Sequence, residues 1–122
     1  MRLKFIILII CLTACFGIFV SAQPSGEVKR ALSTDEQARF DYYFFEAQRL
    51  KDIGKFDDQM EALRMCLEID STNGAAQGEI GMLYARLNNL PQASQALKKA
   101  VESNPENWWY RVQYITLLNG RD

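Results

Sequence analysis

The chain has 122 residues, enough for one domain of ordinary size, and its 48% hydrophobic content is typical of a globular protein. Its formal charge of −1 lacks the basic excess that would indicate a nucleic-acid surface. The chain contains no histidine, which removes the commonest general base and the commonest metal ligand.

The N-terminal segment has the three parts of a secretory signal. Met1–Lys4 carries two positive charges, Phe5–Val20 is almost wholly apolar, and small residues at Val20–Ala22 suit a signal peptidase. The pattern predicts a signal peptide over residues 1–22. It would deliver the mature chain to the periplasm or cell envelope of a bacterium.

Two other interpretations of this segment stay open. Residues 12–15 resemble a bacterial lipobox, which would make Cys15 a lipidation site and the protein a membrane-anchored lipoprotein. The apolar residues after Cys15 argue against it, because a lipoprotein tether is usually polar. The segment could also remain as an uncleaved anchor, although Phe5–Val20 is slightly short for a bilayer span. In all three cases the rest of the chain lies outside the cytoplasm, with membrane contact only through this segment.

Residues 23–32 mix proline, glycine and charge without periodicity and predict a linker. Ser33 and Glu36 then have the spacing of a capping box, which predicts the start of the first helix and of a helical domain over residues 33–122. Gly54 is expected to end this helix in the left-handed conformation. Apolar residues recur between them at helical spacing: Phe40, Tyr43, Phe44, Ala47, Leu50 and Ile53.

Four more helices follow. Asp57 or Asp58 is expected to cap the second, and the third is expected from about Ala75 to Leu87. Pro91 fits the first position of the fourth helix, and the fifth is expected over about residues 106–118. The predicted inward faces of the second, third and fourth helices hold Met60, Leu63, Cys66, Leu67 and Ile69, then Ile80, Gly81, Leu83, Tyr84 and Leu87, then Ala93, Ala96, Leu97, Ala100 and Val101.

The stretch 74–107 has 34 residues, and both flanking parts of the chain repeat its pattern. A shift of one period places Tyr84 on Leu50 in one direction and Gly81 on Ile115 in the other. A fixed period of this length indicates a repeat array. Without any strand pattern, the predicted fold class is all-α.

This period resembles that of the tetratricopeptide repeat (TPR). The matching residues in the second copy are Gly81, Tyr84, Ala93, Leu97, Ala100 and Pro105. The resemblance implies antiparallel helix pairs stacked as a short right-handed α-solenoid of about two and a half TPR units, with copies at residues 40–73 and 74–107 and a partial copy at 108–122. The first copy departs from the family where Gln59 replaces an alanine and Ser71 replaces the proline.

The fifth helix lacks a partner helix after it. It is either a capping helix, or the natural protein continues beyond Asp122 with further repeats, a sensor or an enzyme. Its open face could also support self-association.

The resemblance places first-helix residues on a concave surface that would hold a protein or peptide partner of unknown identity. The alternative for Phe44 and Trp109 is packing against neighbouring helices. The lysine–asparagine set by which some family members hold a C-terminal carboxylate is absent, so a chaperone tail is not the expected partner. The predicted peptide-binding groove comprises Phe44, Gln48, Gly78, Met82, Ala85, Trp109, Val112 and Thr116.

Catalysis is not expected. Paired carboxylates such as Asp57 and Asp58 lie at predicted helix starts, where capping explains them. Cys66, the one cysteine after the signal, has the position of a small buried side chain. We therefore expect no cofactor, no metal and no enzymatic activity. The sequence predicts an exported scaffold for protein–protein interaction in the cell envelope; the alternative is a self-associating module or the N-terminal fragment of a longer protein.

Overall fold

A computed structural model describes residues 29–120. Over this range the chain forms five α-helices and no strand, so the predicted all-α helical-repeat solenoid is confirmed. The helices are α1 (Thr34–Asp52), α2 (Phe56–Ile69), α3 (Gly74–Arg86), α4 (Leu90–Ser103) and α5 (Trp108–Asn119). The three-residue connections between α1 and α2 and between α3 and α4 favour antiparallel pairs. Within 29–120, none of these helices has both the length and the apolar character to span a bilayer.

The first helix begins as predicted. The Ser33 side chain accepts a hydrogen bond from the Glu36 backbone N–H at 3.2 Å, and the Glu36 carboxylate accepts one from the Ser33 N–H at 2.9 Å. Arg30 adds an ion pair to the same carboxylate at 2.7 Å. The hydrogen bonds from Arg30 and then from Ser33 lower the pKa of Glu36 to about 2. The cap is therefore charged at all but strongly acidic pH.

The 34-residue period extends to the backbone of the turns. Gly54 and Asn88, one period apart, both have positive φ, at 72° and 59°. The residue after each donates its backbone N–H to a helix carbonyl five residues back, from Lys55 to Leu50 at 2.9 Å and from Asn89 to Tyr84 at 2.8 Å. This is the Schellman closure of a helix. The two helix pairs are thus connected by the same type of turn.

The caps of α3 and α5 follow the same period. The Asn73 side chain accepts hydrogen bonds from the N–H groups of Ala75 and Ala76, both at 3.1 Å. Asn107, 34 residues later, caps α5 through Trp109 and Tyr110 at 3.0 and 3.4 Å. This cap places the start of α5 at Trp108, two residues later than predicted.

Three local predictions were wrong. Asp57 and Asp58 lie inside the first turn of α2, and its N-cap residue, Lys55, makes no capping hydrogen bond through its side chain. Leu90 occupies the first position of α4, so Pro91 follows at the second. Leu87 lies past the last turn of α3 and is 47% exposed, although it was predicted to face inward.

The core lies between the stacked helix pairs. Leu63 and Leu97, one period apart, are 0% and 1% exposed. A Cβ placed on Gly81 would lie 2.8 Å from Leu97 Cγ and 3.0 Å from its backbone N, so only glycine permits this approach of α3 to α4. The same repeat position holds fully buried Ala47 in α1 but Ile115, 55% exposed, in α5.

Candidate functional site

A cleft of about 550 Å³ opens across α1, α3 and α5. Its floor includes the buried side chains of Leu83 and Leu97. The residues that line it are Lys51, Gln59, Glu79, Met82, Leu83, Ala85, Arg86, Leu97, Trp109, Gln113, Thr116 and Leu117. The cleft therefore combines an apolar floor with polar and charged walls.

One aromatic contact positions the α5 wall. Tyr110 is 8% exposed, and a Cβ on Gly78 would lie 2.6 Å from its ring Cζ and 2.7 Å from Cδ1. The glycine thus provides the recess into which the Tyr110 ring packs. Burial, and secondarily the nearby charge of Glu79, raises the pKa of Tyr110, so this ring stays neutral at physiological pH.

The charges of the cleft are only partly paired. Lys51 Nζ lies 3.0 Å from the Glu79 carboxylate and 3.4 Å from the side-chain oxygen of Gln48. The Arg86 guanidinium lies over the Phe56 ring, 5.1 Å from its centroid. Within residues 29–120, no carboxylate lies within ion-pair distance of Arg86. The lining therefore carries two cations against one carboxylate.

Gln59 is the unusual residue of the lining. It is 2% exposed, yet its side-chain oxygen receives no hydrogen bond from any residue in the described range. Ala93 occupies the equivalent position of the second copy and is fully buried. The sequence comparison between copies does single out Gln59, but only as a departure from the repeat pattern.

The structure brings half of the predicted groove residues together. Met82, Ala85, Trp109 and Thr116 line the cleft. Gln48 lies just outside it, held to the wall by Lys51.

The other predicted groove residues lie elsewhere. Phe44 stacks on Phe40 with the ring centroids 5.9 Å apart and packs against a buried cluster, in agreement with the packing alternative. Gly78 is buried beneath Tyr110, so its predicted place on the open surface is wrong. Val112 is 42% exposed and is absent from the cleft lining.

A one-residue shift explains part of this difference. The prediction chose Gly78 and Val112, one period apart, whereas Glu79 and Gln113, the next residue in each copy, line the cleft. One residue corresponds to about 100° around a helix, given 3.6 residues per turn. The Tyr110 ring covers Gly78, which the prediction assigned to the groove.

The described residues form no cluster of metal-ligating side chains. Within residues 29–120, no group of three or more cysteine, aspartate or glutamate side chains is placed to hold a metal ion. Cys66 is fully buried, and burial raises the pKa of its thiol to about 11. A thiol in this state is a packing group rather than a nucleophile, as the sequence predicts.

Comparison with known proteins identifies one repeat. Residues 75–107 match the family described as tetratricopeptide repeat. The match falls inside the copy predicted over residues 74–107, and it includes Met82 and Ala85 of the cleft. No curated protein matches the chain.

Proposed function

We propose that this helical-repeat protein, whose second copy is a tetratricopeptide repeat, is a non-enzymatic scaffold that holds an extended segment of a protein partner in the α1–α3–α5 cleft. Repeats of this family are typically non-catalytic interaction modules. The observation that carries the proposal is the open cleft itself, which places Met82 and Trp109 on facing helices above an apolar floor.

The size and composition of the cleft support a peptide-like occupant. A volume of about 550 Å³ accommodates a few side chains of a bound segment. Trp109 is 46% exposed, so it can still bury apolar surface against a partner. Tryptophan is enriched among residues that dominate binding energy, and methionine adapts to irregular partners.

Mutation of Trp109 tests the cleft. Peptides selected from a phage-displayed random library against the purified protein should bind Trp109→Ala about tenfold more weakly or worse, because loss of such an anchor costs upward of about 1–2 kcal/mol. Trp108→Ala removes the same side chain from the neighbouring position, which is outside the lining. Its affinity should stay within about twofold of the wild-type value. Isothermal titration calorimetry with the selected peptides measures both.

The opposite order of peptide affinities for the two variants would contradict the assignment of the binding site to the cleft. Peptides that bind Trp109→Ala as well as wild type but lose affinity for Trp108→Ala would contact the outer face of α5. That face is apolar and exposed, with Trp108 at 64% and Ile115 at 55%. This exposure favours self-association as the second candidate function. Light scattering on the wild type, Trp109→Ala and Trp108→Ala distinguishes peptide binding from self-association. If the molecular mass rises with concentration and only Trp108→Ala lowers it, the outer face of α5 mediates self-association.

We further propose that the protein is exported to the periplasm or cell envelope. This rests on the sequence pattern, since the predicted signal (1–22) and the lipidation candidate Cys15 lie outside the described residues. Mass spectrometry of the protein from an expressing bacterium should find Gln23 at the N-terminus. A mature chain that begins with a diacylated Cys15, or one that retains Met1, would contradict cleavage after Ala22.

A further inference from the structure

The exposed arginine of the cleft indicates the chemistry of the partner. We propose that the partner segment is acidic, so that an aspartate or glutamate side chain of the segment binds the Arg86 guanidinium while a neighbouring apolar residue packs on Trp109. This inference rests on the proposed function, because it concerns the ligand of the same cleft. It adds the charge that the partner must present there.

Arg86 is the accessible charge of the lining. It lines the cleft from the end of α3 and is exposed to solvent. Within residues 29–120, no carboxylate lies within ion-pair distance of its guanidinium. An arginine side chain carries five N–H donors, no acceptor and a permanent positive charge. A carboxylate that enters the cleft can therefore reach this group and accept hydrogen bonds from it.

The Phe56 ring supports the guanidinium. Arg86 Cζ lies 5.1 Å from the ring centroid, within the range of a cation–π contact. Phe56 packs against the core cluster of buried residues, so the ring is a fixed support. The face of a phenyl ring attracts the cation but contributes no oxygen acceptor, so the N–H donors remain for a ligand. Because the side chain is already ordered on the ring, a bound carboxylate costs less side-chain freedom.

The other two charges of the lining leave the cleft positive. The Glu79 carboxylate lies 3.0 Å from Lys51 Nζ, and only 13% of the Glu79 side chain is exposed. A basic residue of the partner would have to displace Lys51 to pair with it. Lys51 and Arg86 against Glu79 give the lining a net charge of +1, whereas the whole chain has a formal charge of −1. The cleft is thus opposite in sign to the protein as a whole and complementary to an acidic segment.

Trp109, on the facing helix, supplies the apolar half of the site. Its side chain is 46% exposed, and Met82 and Leu117 line the same cleft. A large apolar residue close to the acidic one would bury surface against these three side chains. The expected binding motif is thus an aspartate or glutamate within a few residues of a large apolar residue.

A double-mutant cycle on selected peptides tests the ion pair. Peptides whose binding depends on Trp109 should be enriched in the expected motif; they are synthesised as C-terminal amides, so that their carboxylates are those of side chains. Arg86→Gln should weaken these peptides about tenfold in calorimetric titrations, because it removes a charge-assisted hydrogen bond. It should change binding less than about twofold when the acidic residue of the peptide is itself replaced by its amide, because the two changes remove the same contact.

Arg39 supplies the matched control. It is an exposed arginine of α1 outside the cleft lining, and within residues 29–120 no carboxylate lies within ion-pair distance of it. Arg39→Gln removes the same charge from the protein as Arg86→Gln but should leave peptide affinity within about twofold of the wild-type value. Charge reversal gives a second measurement: Arg86→Glu should bind a peptide with lysine in place of the acidic residue more tightly than the original peptide.

The outcomes separate this inference from the proposed function. If peptides depend on Trp109 but are not enriched in acidic residues, or bind Arg86→Gln as tightly as wild type, the inference fails and the cleft function stands. If Arg39→Gln weakens the peptides as much as Arg86→Gln does, the attraction comes from the charge of the whole protein and the inference fails. If no selected peptide depends on Trp109, the proposed function fails and the inference with it.

Discussion

Replacing Tyr110 with alanine is expected to release α5 from the rest of the fold. Tyr110 is the buried residue of α5, and its ring fills the recess above Gly78. Truncation of a buried aromatic side chain costs about 3–5 kcal/mol, and no other α5 side chain occupies that recess. Urea denaturation followed by circular dichroism should show a lower midpoint. Hydrogen exchange should show α5 amides losing protection before those of α1–α4.

Trp108→Ala is the control for this prediction. Trp108 is larger than Tyr110 and adjoins α5's own cap, but it is 64% exposed. Its removal should change the free energy of unfolding by no more than about 0.5 kcal/mol. Equal losses for the two variants would contradict the assignment of Tyr110 as the residue that docks α5. Because α5 forms one wall of the cleft, Tyr110→Ala should also abolish binding of cleft-dependent peptides.

Replacing Gly81 with valine is expected to separate α3 from α4. A Cβ at this position would approach Leu97 Cγ at 2.8 Å and the Leu97 backbone N at 3.0 Å, so a side-chain rotation alone cannot relieve the contact. Overpacking of a filled core costs about 1–3 kcal/mol and occasionally more. We expect Gly81→Ala within that range and Gly81→Val above it. This order holds even though alanine is the better helix former by roughly 1 kcal/mol.

Gly74→Ala tests whether the expected loss of stability at Gly81 comes from steric contact or from replacing any buried glycine of α3. Gly74 is buried at the start of the same helix, but an added Cβ would meet its nearest neighbours at 3.4 Å, an ordinary contact distance. Its urea midpoint should stay close to that of the wild type. A comparable loss of stability for Gly74→Ala and Gly81→Ala would contradict the steric explanation.

The repeat period was sufficient to predict the helices and their core. Residues one period apart, such as Leu63 and Leu97, are buried to the same degree because the same helix pair recurs around them. Local capping chemistry at Ser33 and Gly54 added the boundaries of α1. The errors at Asp57 and Pro91 arose where α2 and α4 begin without a side-chain cap, so the sequence carries no local signal for the first residue.

The cleft was harder to predict than the fold. Which of two neighbouring residues lines it depends on where the Tyr110 ring lies, and that is decided by the fit between α3 and α5 rather than by periodicity. The repeat resemblance placed Gly78 in the groove, but the Tyr110 ring packs over this glycine. Lys51, Glu79 and Arg86 reach the lining through long side chains, whose directions a repeat pattern does not encode.

Ile115 limits how closely another helix can pack against the outer side of α5. At this position Ala47 and Gly81 let neighbouring helices come close, whereas Ile115 projects a branched side chain outward. Packed helix axes lie about 8–10 Å apart according to the side chains between them. A helix of this chain or another protein laid on that side would therefore sit toward the wider end of this range and cross at its own angle. The close helix packing of the first two copies would therefore not continue past α5. The curvature of any longer assembly would change at this helix.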